Sequence, residues 1–111
     1  MRTEIQATIN ASLHGLTDRQ KAVANNLSNI ETPGFLAKRV DFESALKRAI
    51  STDSAVNLKT RRTVSLDETN VNGNNVNLDN ETVSAVETEL RYQAMISAMN
   101  SQFRTLRTAM G

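Results

Sequence analysis

Cysteine and tryptophan are absent from this 111-residue chain, proline and histidine each occur once, and the aromatic residues are three Phe and one Tyr. Without cysteine there is no disulfide, no thiol nucleophile and no thiolate metal site. His14 has no second histidine with which to hold zinc and no Asp or Cys set beside it for nucleophilic catalysis, so it reads as an ordinary residue flanking a helix stripe. No apolar run approaches the roughly 20 residues of a membrane span. Residues 1–13 alternate polar and apolar positions and lack the charged start, continuous apolar stretch and small-residue cleavage site of a secretory signal. If the protein leaves the cytoplasm, it is expected to do so by another route and without cleavage.

An excess of charge is also missing. Thirteen basic residues face twelve acidic ones, for a net charge of +1, which leaves no footprint for nucleic acid or an anionic membrane. The basic clusters Lys59-Thr60-Arg61-Arg62 and Lys38-Arg39 lack aromatic interleaving and helix-turn-helix spacing. The carboxylates are dispersed: Glu87 and Glu89 point to different sides of a helix, and Asp67-Glu68 falls in a loop. Gly73 belongs to no phosphate-cradling pattern. The expectation is a protein that is not an enzyme, holds no metal or cofactor, and takes no small-molecule substrate.

Two long amphipathic segments are present. In the first, about Arg2 to Asn29, Ile9, Leu13, Leu16, Gln20, Val23, Leu27 and Ile30 follow at spacings of 4, 3, 4, 3, 4 and 3, with Ile5 before them. That is the stripe of a helix packing lengthwise on another helix. Gly15 interrupts it and should weaken it by about 1 kcal/mol. Thr32-Pro33-Gly34 ends the helix in a turn, since Pro33 disfavours a helical Thr32. A short helix is predicted from Asp41 to Ile50, with Phe42, Ala45, Leu46, Ala49 and Ile50 on one face and Asp41 as N-cap.

The stretch from Ser51 to Asn80 reads as an irregular polar loop. Six of the eleven residues from Asn70 to Asn80 are Asn, a turn-forming composition. Thr63-Val64-Ser65-Leu66 alternates as a short extended piece, and Val71, Val76 and Leu78 are candidate anchors. The second long segment runs from about Leu78 to Met110, with Asn77 as a candidate N-cap. Val83, Val86 and Leu90 begin a stripe that Tyr92, Ile96, Met99, Phe103, Leu106 and Met110 continue at spacings of 4, 3, 4, 3 and 4.

These segments imply an all-α fold: long N- and C-terminal helices pairing antiparallel as a coiled-coil-like bundle, joined by a short middle helix and a long polar loop. The divisions are an N-terminal helix over 1–32, a turn, short helix and loop over 33–77, and a C-terminal helix over 78–111, the terminal helices forming one inner domain. Leu, Ile, Val and Phe are 26 of 111 residues, about 23%, just above the roughly 20% below which chains stay disordered. An isolated copy is expected to be marginally stable, with partner subunits supplying burial. The expected assembly stripe is Ile9, Leu13, Leu16, Val23, Leu27, Tyr92, Ile96, Met99, Phe103 and Leu106.

The run Val23-Ala24-Asn25-Asn26-Leu27-Ser28-Asn29-Ile30-Glu31-Thr32-Pro33-Gly34-Phe35 resembles the N-terminal signature of flagellar rod and hook axial proteins. The signature residues are Asn26, Leu27, Asn29, Thr32, Gly34 and Phe35, with Ser28 where Ala is usual. Asp41-Phe42-Glu43 with Leu46, then Gly73-Asn74-Asn75-Val76-Asn77-Leu78 leading into Glu81, and Leu90-Arg91-Tyr92-Gln93-Ala94 are similar to the FlgB type of the flagellar basal-body rod family. Asn72 departs from the usual Asp before that glycine. The resemblance implies a structural subunit of the proximal rod, packed helically around an export channel, transmitting torque, and exported through a type III apparatus. The implied partners are other rod subunits, further copies of itself, and membrane-ring and export-gate proteins at the rod base, in a rod that crosses the periplasm. Another proximal-rod protein, or a helical export adaptor or chaperone, is the alternative. Read from the residues alone, Asn25, Asn26 and Asn29 either terminate the helix or bridge to a neighbouring subunit.

Overall fold

A computed structural model describes residues 4–51 and 61–110. Their elements run α1 (Glu4–Ser28), β1 (Lys38–Asp41), α2 (Glu43–Ser51), β2 (Arg61–Val64) and α3 (Leu78–Ala109). The molecule measures 63 × 26 × 14 Å, with a radius of gyration of 17.1 Å, against about 13 Å for a compact domain of this length. The elongation follows from two helices of 25 and 32 residues lying side by side at 1.5 Å rise per residue.

α1 is the hub, packing against α3 on one side and against β1 and α2 on another. It runs antiparallel to α3: the Asn26 amide meets Glu81 near one end of the pair, and Gln20 meets Glu89 one to two turns further along. Ile9, Leu16 and Val23 repeat every seven residues along α1 and are buried, while Leu13 and Leu27 are half-buried. α1 continues unbroken through Gly15. The glycine makes room for Phe42: a Cβ at position 15 would stand 2.5 Å from Phe42 Cγ. Arg19 lies over the same ring, 4.9 Å from its centroid.

The fold is mainly helical, but the all-α expectation needs a correction. β1 and β2 form a two-stranded antiparallel sheet, with Lys38 opposite Val64 and Asp41 opposite Arg61. β2 overlaps the extended piece expected at Thr63–Leu66. β1 was not expected, because its inward alternation amounts to Val40 followed by Phe42, too short to register as a period of two. Both side chains are buried. The part of the expected loop over 52–60, with Lys59 and Thr60 of the basic cluster, lies outside the described residues.

α2 starts at Glu43 rather than Asp41, and the Asp41 carboxylate accepts from the Ser44 amide at 3.3 Å, as a capping side chain does. α3 is capped by Asn77, whose side chain accepts from the Asn80 amide. Of the three expected loop anchors only Val76 is buried; Val71 and Leu78 are exposed. The C-terminal stripe also divides. Tyr92, Ile96 and Met99 are half-buried, but Val83, Val86 and Leu90 are more than half exposed, on the opposite side of α3. At 100° per residue, the positions before Tyr92 that share its face are Glu81, Ala85 and Thr88. Glu81 and Thr88 are the fully buried residues of α3, so the helix pair is polar at the end near the Pro33 turn.

Candidate functional site

The densest set of buried polar groups lies where α1 ends, β1 begins and α3 starts. Asn26, fully buried, donates from Nδ2 to the Lys38 carbonyl at 3.0 Å and accepts from the Lys38 amide at Oδ1 at 2.9 Å. The side chain thus satisfies both main-chain groups of a β1 residue, as a neighbouring strand would. The same Nδ2 donates to Glu81 Oε1 at 3.1 Å. Glu81 is fully buried and also accepts from Arg39 Nη1 at 3.1 Å. Arg39 reaches on to Asp67 at 3.1 Å. One chain of contacts therefore ties α1 to β1, α3 and the segment after β2. Both contacts fall on Oε1, whose pairing and hydrogen bonding offset the burial of the carboxylate, while Oε2 is buried with no hydrogen-bond partner among the described residues.

A second set continues from the first. Asn74, fully buried, donates to the Asn29 and Thr32 carbonyls at 2.8 and 2.7 Å, each of which also accepts from a main-chain amide in the turn after α1. Asn75 accepts from the Ala37 amide at 2.6 Å and donates to the Ser65 carbonyl at 3.1 Å. The Asn75 amide donates to the Phe35 carbonyl, and the Gly34 amide to the Asn72 carbonyl at 2.8 Å. Gly34 and Gly73 both have positive φ, 72° and 81°, where a side chain is strained. A Cβ on Gly73 would lie 3.3 Å from the Gly34 Cα. These two turns are thus pressed together in a clasp that closes the chain reversal.

Of the signature residues, Asn26, Asn29, Thr32, Gly34 and Phe35 all enter this clasp through side chain or backbone. Leu27 does not. It lines an apolar groove between α1 and α3 with Val23, Ala24 and Ala85, and Gln20 and Glu89 also border it. Asn25 is exposed, and its carbonyl accepts from Asn29 Nδ2 at 2.8 Å. Asn29 thus bonds back to the last turn of α1 as a helix-terminating side chain does, whereas Asn26 is committed to contacts within the chain. Arg39, Asn74 and Asn75 went unrecognised as clasp partners. Arg39 was marked only by a short basic pair, and Asn74 and Asn75 by turn-forming composition and their place in the Gly73–Leu78 motif, neither of which says what they touch.

A second charged cluster joins three elements. Arg19 donates to both Glu43 carboxylate oxygens and to the Val40 carbonyl, and Arg91 on α3 donates to Glu43 at 2.9 Å. Burial pushes the Glu43 carboxyl up, but the Arg19 hydrogen bond, a backbone hydrogen bond and the charges of Arg19 and Arg91 together hold it below its ordinary value.

The predicted stripe residues fall into two groups. Ile9, Leu16 and Val23 are used inside the chain, with Leu13, Leu27, Tyr92, Ile96 and Met99 half-buried around them. Phe103 and Leu106 are 50% and 41% exposed, and Ile5 and Met110 are exposed as well. They occupy the end of the helix pair far from the clasp. With Val83, Val86 and Leu90 on the outer face of α3, they are apolar side chains that the described residues leave open. Exposed apolar patches mark interaction surfaces more often than a monomer's outer skin.

His14 is exposed. Among the described residues no group of His, Asp and Glu is arranged to hold a metal ion, and no helix is long and apolar enough to cross a membrane.

No family model matches the chain. It is 31% identical over 106 residues to the flagellar basal body rod protein FlgB of Bacillus subtilis (strain 168), an alignment covering 83% of this chain and 81% of that protein. It is 28% identical over 107 residues to the protein of the same name from Escherichia coli (strain K12), covering 78% of each. The corresponding protein of Borreliella burgdorferi is 26% identical over 113 residues, covering 82% of this chain and 84% of the relative.

Proposed function

The chain belongs to the FlgB family of flagellar basal body rod proteins, and from that premise we infer that it is a structural subunit of the flagellar rod, with other rod subunits as its partners. Its place is the proximal rod, next to the membrane-ring and export-gate proteins at the base. Residues 1–32 and 78–111 form the inner layer, where α1 and α3 pair as a coiled coil and pack helically with other copies around the export channel. Torque passes through these repeated contacts. The protein catalyses no reaction and reaches the rod without loss of an N-terminal signal.

The observation that carries this reading is the unshared apolar surface of α1 and α3. Ile5, Phe103, Leu106 and Met110 at the open end, and Val83, Val86 and Leu90 on the outer face, are all at least two-fifths exposed. Covering an apolar side chain contributes roughly 1.5–3 kcal/mol if it is fully buried, so a repeating assembly recovers burial that a small chain cannot supply alone.

The test is to purify basal bodies from cells carrying a tagged copy and to image those from a deletion strain. The tag is expected at the proximal rod, with rods missing from the deletion strain. An intact mass recovered from basal bodies that begins at or next to Met1 supports export without cleavage. Normal rods in the deletion strain, or a mature chain beginning well inside α1, refute the corresponding parts of the reading.

A further inference from the structure

We propose that the Asn72-Gly73 peptide is a deamidation site that the folded clasp holds inert, so that the chain modifies itself at position 72 when it is kept unfolded. The proposal is independent of the rod reading. Asn72-Gly73 is the one Asn-Gly pair among the 111 residues. In such a pair the backbone nitrogen of the glycine attacks the asparagine side-chain carbonyl carbon. Glycine has no Cβ to crowd the approach and rotates freely in an unfolded chain.

In the reaction, the Gly73 nitrogen loses its proton to solvent base and forms a bond to Asn72 Cγ. The Cγ–Nδ2 bond breaks, and the side-chain nitrogen leaves as ammonia with a proton from solvent. Water then opens the five-membered imide at either carbonyl. One opening leaves an aspartyl residue at position 72. The other leaves an isoaspartyl residue, whose main chain runs through the former side-chain methylene. Water is the only co-reactant, and no electrons are exchanged.

The folded structure opposes the first step by engaging the attacking nitrogen and by tethering the side chain and main chain of Asn72. The attacking nitrogen is engaged, because the Gly73 amide donates to the Asn70 carbonyl at 2.9 Å. The side chain is tethered, because Asn72 Oδ1 accepts from the Asn74 amide at 3.1 Å, so it cannot rotate freely toward the Gly73 nitrogen. The Asn72 carbonyl is also fixed by the Gly34 amide at 2.8 Å. Attack therefore requires the clasp to open first. An exposed side chain, as Asn72 is, does not react merely by meeting water.

The isoaspartyl product has a structural consequence. Asn74 and Asn75 reach the Asn29, Thr32 and Ala37 main chain from a turn packed closely against Gly34. An additional main-chain atom between positions 72 and 73 shifts that register, so an isoaspartyl chain should refold without the clasp, whereas an aspartyl chain keeps the main-chain register.

The experiment incubates the full chain in neutral buffer with and without urea. Intact mass follows the replacement of amide by hydroxyl, and peptide mapping with isoaspartyl detection locates it. In urea, position 72 should be modified before any other asparagine. In native buffer it should react at least about tenfold more slowly, a difference of about 1.4 kcal/mol. Asn74→Ala, which removes the side chain bridging to the turn after α1, should speed the native reaction while leaving most helical circular dichroism. Should that variant unfold, the native-to-urea ratio of the unchanged chain still decides. After refolding, the isoaspartyl fraction should lack amide-exchange protection at Ala37 and Lys38, and the aspartyl fraction should keep it. Equal native and urea rates would overturn the proposal, as would a urea-treated chain that reacts first at another asparagine.

Discussion

Replacing Asn26 by Ala removes three hydrogen bonds from the centre of the clasp. Two are neutral and go to the Lys38 main chain at 3.0 and 2.9 Å; the third goes to the Glu81 carboxylate at 3.1 Å. Neutral bonds contribute about 1 kcal/mol each and a bond to a charged group about 1.5–3. The Lys38 amide and carbonyl also lose their partner in a part-buried place. Against this, Ala has the higher helix propensity, by about half a kcal/mol. The expected loss is about 3–4 kcal/mol. A 111-residue domain at 0.05–0.15 kcal/mol per residue has roughly 6–17 kcal/mol in all. The midpoint of thermal unfolding should therefore fall by well over 10 °C, taking about 4–8 °C per kcal/mol for a domain near this size. Asn26→Asp should be worse, because it sets a second carboxylate against Glu81 and removes the donor. Asn25→Ala, one residue earlier but exposed, should stay within about 0.5 kcal/mol. Urea titration followed by circular dichroism reads all three. If Asn26→Ala costs less than about 1 kcal/mol, or no more than Asn25→Ala, the clasp does not hold α1 to β1 and α3.

Gly15→Ala should destabilise by up to about 2 kcal/mol despite the roughly 1 kcal/mol gained in helix propensity, because Phe42 ring atoms lie 2.5 and 2.6 Å from the new Cβ and overpacking costs about 1–3 kcal/mol. Phe42→Leu in the same chain should return part of that loss, and a more stable single variant in urea titration would contradict the packing. The folded Glu43 carboxyl sits below its ordinary value of 4.5. Its contribution is then present above that pH and is lost as pH falls through the lower folded value. Because the carboxylate is 43% exposed, the effect should be under about 1 kcal/mol. Thermal melts of the unchanged chain and of Glu43→Gln should converge in acid, and a constant gap from neutral to strongly acid pH would refute the assignment. Phe103→Asp should leave soluble chain in the cell yet abolish motility and rods, whereas Arg104→Ala should be far milder. Phe103 is half exposed, so its loss costs the monomer little, but a carboxylate buried unpaired at each repeat costs several kcal/mol. Normal basal bodies with Phe103→Asp, or equal loss with both variants, would remove this face from the assembly.

The sequence by itself determined the two long helices, the break between them and the caps. Each is local or strictly periodic: the 4-3 spacing from Ile9 to Leu27, Pro33-Gly34 after Thr32, and Asn77 ahead of Leu78 all act within a few residues of themselves. It also carried the family signature on Asn26, Leu27, Asn29, Thr32, Gly34 and Phe35. What those residues touch was decided only by the tertiary structure. Asn26 meets Glu81 across 55 positions, and Asn74 meets Asn29 across 45. An amide side chain that serves as a strand mimic looks in sequence like one that ends a helix or bends a loop. The same limit applies to Gly15, a weak point by propensity and a seat for Phe42 by packing. It applies to α3 as well, where Val83, Val86 and Leu90 read as core but face outward, and Glu81 and Thr88 hold the interior. Apolar character reports that a side chain favours burial; which neighbour covers it, within the chain or in the next subunit, depends on contacts that sequence spacing does not encode.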